Sequence, residues 1–600
     1  PNHFGDLGSS GGPVSMLNNN VLANSDFLTG AFPAEYGNAI SGVFDLRMRN
    51  GNYNKHEFVG QVGLNGFEFG AEGPISKSSK SSYLLNYRYS TLGFMSALGI
   101  NFGTGTAIPY YQDITTRFNF PTEKAGTFSV FAIGGVSQID LISSNEEDTV
   151  DNLYNNDLDI YDRSKTGIAG ISHQYLIDNS SYTKFTLAAS YVMNSDLIDS
   201  ISPETYDPVP YYSQNFTQTK IAGNFFYKKK FNTKHNLQIG VRFDEFLVDI
   251  IDSIYRSTID RYITLTEYDG NTFLLQPYAQ YQYRVSDKMS LNAGLHYQYL
   301  GLNGSSSLEP RAGIKYQINE KNALSFGYGL HSMMAPIATY FKTVEAGVGN
   351  YITPNDSIDF VKAHHIVLGY DLQLSPTIRM KTEVYYQHLY DVLIDKDSSS
   401  YSVLNTGSLT FGSPDYLKNS GTGRNYGAEL TLEKFMDKGM YFLVTGSLYR
   451  SEYTGSDKIE RESAFSGNYV TNFVGGKEFT LFPNRVGQKT KKSIVLDTKF
   501  TLAGGQRYTP IDLEESILAG ETKYDWDNAY GDQFDDYMRL DLRTAFKMDG
   551  KFATQEWAID IQNITSRQNP LYQRFNPIEG QIDTVYQLGF FLVPQYRITF

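Results

Sequence analysis

The 600-residue chain contains no cysteine. No disulfide can form, and no thiolate is available as a nucleophile or metal ligand. Tryptophan is scarce as well, with 2 residues against 46 Tyr and 39 Phe. Basic residues are outnumbered 51 to 65, leaving a net charge of −14. That balance argues against a nucleic-acid binder, which needs a basic face. No run of 18 apolar residues occurs and mean hydropathy is −0.36, so no membrane-spanning helix is present. A β-barrel is not excluded by this, because its lipid-facing and lumen-facing residues alternate and keep the average low. The opening PNHFGDLG has neither the charged nor the apolar region of a secretion signal. There is no phosphate-binding loop and no HExxH zinc motif. His364 and His365 are adjacent, so a strand sends them to opposite faces and they do not chelate together. Neither an enzyme nor a cofactor site is expected.

What the chain has is alternation. In LGFFLVPQYRITF, Leu588 to Phe600, one face carries Phe590, Leu592, Pro594, Tyr596, Ile598 and Phe600. The other carries Phe591, Val593, Gln595, Arg597 and Thr599. A period of two with one apolar face marks a strand. Ending on an aromatic in such a run suits an outer-membrane barrel, whose outward face meets lipid. Tyr596, Ile598 and Phe600 are the candidate signal that barrel assembly machinery reads. The abundant Tyr fits too, since its ring is apolar and its tip polar.

From Lys55 onward, alternating segments of 8 to 15 residues are separated by two kinds of connection. Short polar ones, often with Lys, lie at 76–81, 121–126, 178–183, 231–236, 286–288, 319–322, 375–377, 436–439, 483–492 and 548–553. The others are longer and acidic. Barrels in outer membranes have this asymmetry, with short turns inside and long loops outside. Ten such turns imply eleven up-down pairs, hence 22 antiparallel strands. A barrel of that size has a lumen that must be plugged. In SYLLNYRYS, Tyr83, Leu85, Tyr87 and Tyr89 oppose Ser82, Leu84, Asn86 and Arg88. In YMRLDLRTAF, Met538, Leu540, Leu542 and Phe546 oppose Arg539, Asp541 and Arg543. One face suits lipid and the other an aqueous, plugged interior.

Residues 1–54 differ, being rich in Gly, Asn and small residues. The piece AFPAEYGNAISGVFDLRMRNG ends in an alternating stretch, Gly42 to Arg49, with Val43, Asp45, Arg47 and Arg49 on one side. Its Ala34, Glu35, Tyr36, Gly37, Gly42 and Val43, followed by Arg47 and Arg49, resemble the end of the plug of TonB-dependent outer-membrane receptors of the Bacteroidota type. SSLEPRAGIKYQ (306–317), GGQRYTPID (504–512) and IDIQNITSRQNPLY (559–572) resemble that family's barrel segments.

The resemblance implies an all-β fold: a 22-stranded transmembrane barrel at 55–600 with the C-terminal part of a plug, 1–54, in its lumen. It also implies that the upstream plug and the energy-coupling TonB box precede this sequence. The implied location is the bacterial outer membrane. The implied partners are a TonB–ExbB–ExbD inner-membrane complex, outer-membrane lipid, the assembly machinery and an unidentified extracellular ligand. Plug bases pairing with barrel carboxylates make Glu35, Tyr36, Arg47, Arg49, Glu309 and Arg311 the candidate plug–wall contacts. The function implied is energy-coupled uptake. The alternative is a passive pore or structural protein with a degenerate plug.

Seven carboxylates lie between Glu146 and Asp162 (Glu146, Glu147, Asp148, Asp151, Asp157, Asp159, Asp162), with no base among them. Their spacing is not that of a calcium loop, and such a run is ordinarily a solvated face. A second acidic stretch, Asp512 to Asp536, carries Trp526 and several Tyr. Together these loops predict a negative funnel that speeds association of cationic solutes at low salt. Equal association rates across ionic strength would contradict it.

Overall fold

The structure is a computed structural model. It describes all residues except 1, 6–13, 65, 77–78, 91, 93–108, 145–157, 203–204, 206, 348–349, 407–412, 483–489 and 578. Strands pair antiparallel with their sequence neighbours from Glu57 onward, and the last strand, Phe591–Thr599, pairs back with the first, Glu57–Gly63. The result is a closed 22-stranded barrel, with one extra three-residue strand, Glu460–Glu462, on its outer rim. The seam is sealed past the last strand residue: Phe600 and Phe58 exchange backbone bonds of 3.0 and 2.7 Å. Closure leaves no exposed sheet edge, which lipid would not tolerate.

Alternation sets the faces as read from the sequence. On Ser82–Tyr89, Ser82, Leu84 and Asn86 are buried inward, while Tyr87 and Tyr89 are exposed on the outside. In the last strand Leu592 is exposed and Val593 buried, which puts Tyr596 and Ile598 on the outer face. Tyr596 packs there against Trp557, ring centroids 5.3 Å apart.

Two expectations need correction. Strands are not limited to 15 residues: the five from Leu158 to Arg284 run 21 to 24 residues each. A tilted strand crosses a bilayer in about 9–11 residues. These five therefore stand well clear of the membrane as a wall. The outer connections among them are correspondingly short, at 202–207 and 257–260. Residues that read as loop are there absorbed into hydrogen-bonded strand.

The second correction concerns the lumen, which is not wholly aqueous. The described residues of the connection 334–360, including a helical turn Ile337–Phe341, fold inward. Its Ile337, Tyr340, Phe341 and Phe360 join Phe246, Leu274, Leu300 and Leu393 of the wall in one buried apolar core. Tyr268 and Phe341 stack with centroids 3.6 Å apart.

The described residues before Glu57 touch strands around much of the ring, which places them within it. His3 meets Asp113, Asn20 meets Arg597 and Gly30 meets His365. They form a hairpin of Asp26–Thr29 with Gly42–Asp45 and a single bridge from Leu22 to Met48. The stretch read as one strand to Arg49 thus ends at Asp45. Of the acidic run, Asp159 and Asp162 are described. Glu146, Glu147, Asp148, Asp151 and Asp157 lie outside the described residues, as do parts of the turns at 76–81 and 483–492.

Candidate functional site

The turn from Gly30 to Asn38 sits in a polar socket of the wall. Glu309 and Arg311 are two apart on Ser306–Gln317, so both side chains face inward, as strand parity requires. Glu309 is fully buried. It accepts from Arg311 Nη2 at 2.6 Å, from Gln298 Nε2 at 2.6 Å and from Ser332 Oγ at 2.5 Å. So held, Arg311 turns Nη1 to the turn. It donates to the carbonyls of Pro33 and Tyr36, each at 2.6 Å, and of Phe32 at 3.3 Å. Its guanidinium also lies 4.9 Å from the Phe32 ring. A buried cation is tolerable here because a carboxylate and three carbonyls share its charge.

Neighbouring strands extend the socket. His296 Nδ1 donates to the Ala34 carbonyl at 2.8 Å, and His365 Nδ1 to the Gly30 carbonyl at 2.9 Å. Gln280 Oε1 accepts from the Ala34 amide at 3.0 Å, and Gln238 Nε2 donates to Glu35 at 2.8 Å. Arg242 lies 5.5 Å from the Tyr36 ring. Burial, with the Glu35 charge behind it, pushes the Tyr36 phenol well above its ordinary value of 10.0. Gly37 is needed for the fit: a Cβ there would lie 2.1 Å from His296 Nε2.

Two further attachments follow. Arg49 makes a bidentate pair with Glu72, at 2.6 and 2.7 Å, and Glu72 also accepts from the Asn52 amide at 2.8 Å. Asp113, buried on Tyr110–Pro121, binds Arg88 at 2.7 Å and His3 at 3.1 Å. Arg88 then donates to the Ser15 carbonyl at 2.6 Å.

The structure therefore brings Glu35, Tyr36, Arg49 and Arg311 into contact across the segment and the wall. Glu309 acts through Arg311. For Arg47 the expected wall contact is corrected: it bonds Asp45 at 2.6 Å and approaches Asp26 at 3.7 Å, both within the segment. The Asp45 hydrogen bond raises its pKa. With the strand ending at Asp45, Arg47 no longer follows the parity that Arg49 keeps. His296, Gln238, Gln280, Glu72 and Asp113 were not singled out from the sequence, and His365 was read there only as a neighbour with which His364 does not chelate. Cross-strand pairing would have exposed one of them, since His296 lies directly opposite Glu309.

Above the socket the Met334 amide donates to Asn38 Oδ1 at 2.9 Å, linking the turn to the inward-folded connection. On the outer side of that connection lies a cavity of about 550 Å³, bordered by Tyr212, Asp252, Arg256, Thr339 and Lys342. Among the described residues no cluster of three His, Asp or Glu is placed to hold a metal ion.

A closed 22-stranded barrel with a polar-held segment in its lumen agrees with the family comparison. The model of the TonB dependent receptor-like β-barrel matches residues 102–564. The chain belongs to this TonB-dependent receptor family. The receptor is accordingly an outer-membrane protein. Among solved structures it is similar to the ferric-catecholate import receptor Fiu from K12 E. coli, at 10% identity and TM-score 0.69, covering 95% of this chain and 85% of that one. It is similar to the ferric yersiniabactin uptake receptor FyuA from Yersinia pestis, at 12% identity and TM-score 0.67, covering 96% and 85%. The pyoverdine outer membrane receptor FpvA from Pseudomonas aeruginosa PAO1 gives 11% identity and TM-score 0.68, covering 97% and 83%. At these identities the likeness is one of fold. No protein of curated function matches the receptor's sequence.

Proposed function

We propose that the receptor imports an extracellular solute with energy drawn from a TonB–ExbB–ExbD complex. Residues 1–54 act as the end of its plug and 55–600 as its barrel. The observation that supports this most is the chemistry of the seat. The segment is tied to wall side chains by hydrogen bonds and ion pairs, through Arg311, His296, His365, Gln238 and Glu72. The apolar core of the lumen is built chiefly from the wall and the 334–360 connection, and among the described residues of the segment Ile40 packs against it. Water can replace polar partners as a segment slides, whereas an apolar interface would be exposed at a cost of about 25 cal/mol per Å². Such a seat suits a part that is pulled and returned.

In this reading the Arg311–Glu309 socket keeps the lumen shut at rest. The outward Tyr596 and Ile598, with Phe600 at the seam, meet lipid and supply the signal read during assembly. The test is solute depletion from defined medium by cells with and without the receptor, repeated in cells lacking the inner-membrane complex. Uptake should require both. Receptor-dependent uptake that persists without the complex would favour the passive-pore alternative.

A further inference from the structure

We propose that the cavity above the 334–360 connection binds a short zwitterionic peptide, amine end inward. This rests on the uptake reading and names the class of its ligand.

The cavity, about 550 Å³, is of a size for a small organic ligand. Its walls are the outer ends of Pro208–Lys230, His235–Arg256, Arg261–Arg284 and Leu417–Asp437, and its inner side is the segment 338–345. Among the described residues, three polar groups there have unmet hydrogen-bonding capacity. The Thr339 hydroxyl is buried without a hydrogen bond, on a residue only 7% exposed. Asp252 accepts from the Tyr212 hydroxyl, yet its Oδ1 is sealed from solvent and unpartnered. Lys342, a nearby cation, does not fill that role, being held by Asp415 at 2.9 Å and the Ser413 carbonyl at 2.8 Å. Arg256 ends the same strand as Asp252, at the rim, and forms no ion pair among the described residues.

A buried carboxylate oxygen without a donor is costly. A ligand ammonium would satisfy it once the Asp252 side chain turns that oxygen into the cavity. Arg256 offers a fork to a carboxylate at the other end. The two residues are four apart on one strand, about 13 Å at ~3.4 Å per residue. An extended peptide of three or four residues spans that length. Ile250, Ile263, Leu265 and Ala338 leave apolar room for its side chains. A simple cation would leave Arg256 idle, and a simple anion would face Asp252.

The test is calorimetric titration of the detergent-solubilised full chain with tri-alanine, N-acetyl-tri-alanine and tri-alanine amide. Acetylation should weaken binding at least tenfold. D252N should weaken tri-alanine equally and add nothing for the acetylated peptide. R256Q should pair in the same way with the amide. Both substitutions remove charge while keeping hydrogen-bonding groups, and persistence of the folded barrel in unheated SDS verifies each variant. Capped peptides binding as tightly as the free one, or no binding of tri-alanine at millimolar concentration, would overturn the proposal. Binding needs no inner-membrane partner. A failed titration beside energised uptake thus rejects the peptide class alone, and the converse rejects the uptake reading.

Discussion

Arg311 and Glu309 lie two residues apart on one strand with their charged atoms 2.6 Å apart, and Arg311 Nη1 donates to three carbonyls of the luminal turn. Neither side chain is more than 4% exposed. The pair fixes a point on the wall to which the N-terminal segment is tied.

Arg311→Met should loosen that tie sharply. It leaves the Glu309 charge buried without its cation, a loss of about 3–5 kcal/mol. Amides of residues 30–38 should exchange about a hundredfold faster or more, while barrel-strand amides keep their protection. Adding Glu309→Gln removes the stranded charge and should recover part of the loss. Unchanged exchange in R311M would show that the socket does not hold the turn.

Gly37→Ala should loosen the same turn by steric means. The new methyl would sit 2.1 Å from His296 Nε2 and 2.4 Å from Gln276 Oε1, so wall or turn must shift. Overpacking of this kind costs about 1–3 kcal/mol. Combining G37A with His296→Ala should recover stability if that contact is the cause.

Arg49→Ala should have a smaller effect at the second attachment. Its side chain is 34% exposed, so solvent screens the pair with Glu72. We expect about 1 kcal/mol, read as faster exchange of the Asn52 amide without change at residues 30–38.

Raised pH should act through Tyr36. Its phenol titrates higher in the folded chain than the ordinary 10.0 because burial and Glu35 disfavour the phenolate. A raised folded pKa contributes stability that is whole below the unfolded pKa and is lost as pH climbs through the folded one. The luminal turn should therefore loosen above about pH 10. Tyr36→Phe should remove that part of the alkaline loss, as followed by exchange at residues 30–38.

Much of this fold was readable from parity. Once Tyr83, Tyr87 and Tyr89 were set outward, Ser82, Asn86 and Arg88 had to face the lumen, and the ten short connections gave the strand count. Parity also put Glu309 and Arg311 side by side. It failed at Arg47, because the strand stops at Asp45 and a chain without ladder bonds has no period to follow. Strand length was hidden for another reason: between Leu158 and Arg284 polar alternation continues above the membrane, where it reads as loop. The inward fold of 334–360 depends on Phe341 finding Tyr268 across 73 positions, which no local pattern records. His365 looked like an ordinary strand residue because its partner, the Gly30 carbonyl, is a backbone atom.

The absence of native cysteine allows a direct test of whether the segment must move. A Cβ at Gly327 would lie 3.1 Å from that of Ala31, near the roughly 3.5–4.5 Å of a disulfide. In cells carrying A31C with G327C, oxidation should abolish energised uptake and reduction should restore it, with each single variant unaffected. Full uptake through a receptor whose cross-link is complete by mass spectrometry would contradict the account.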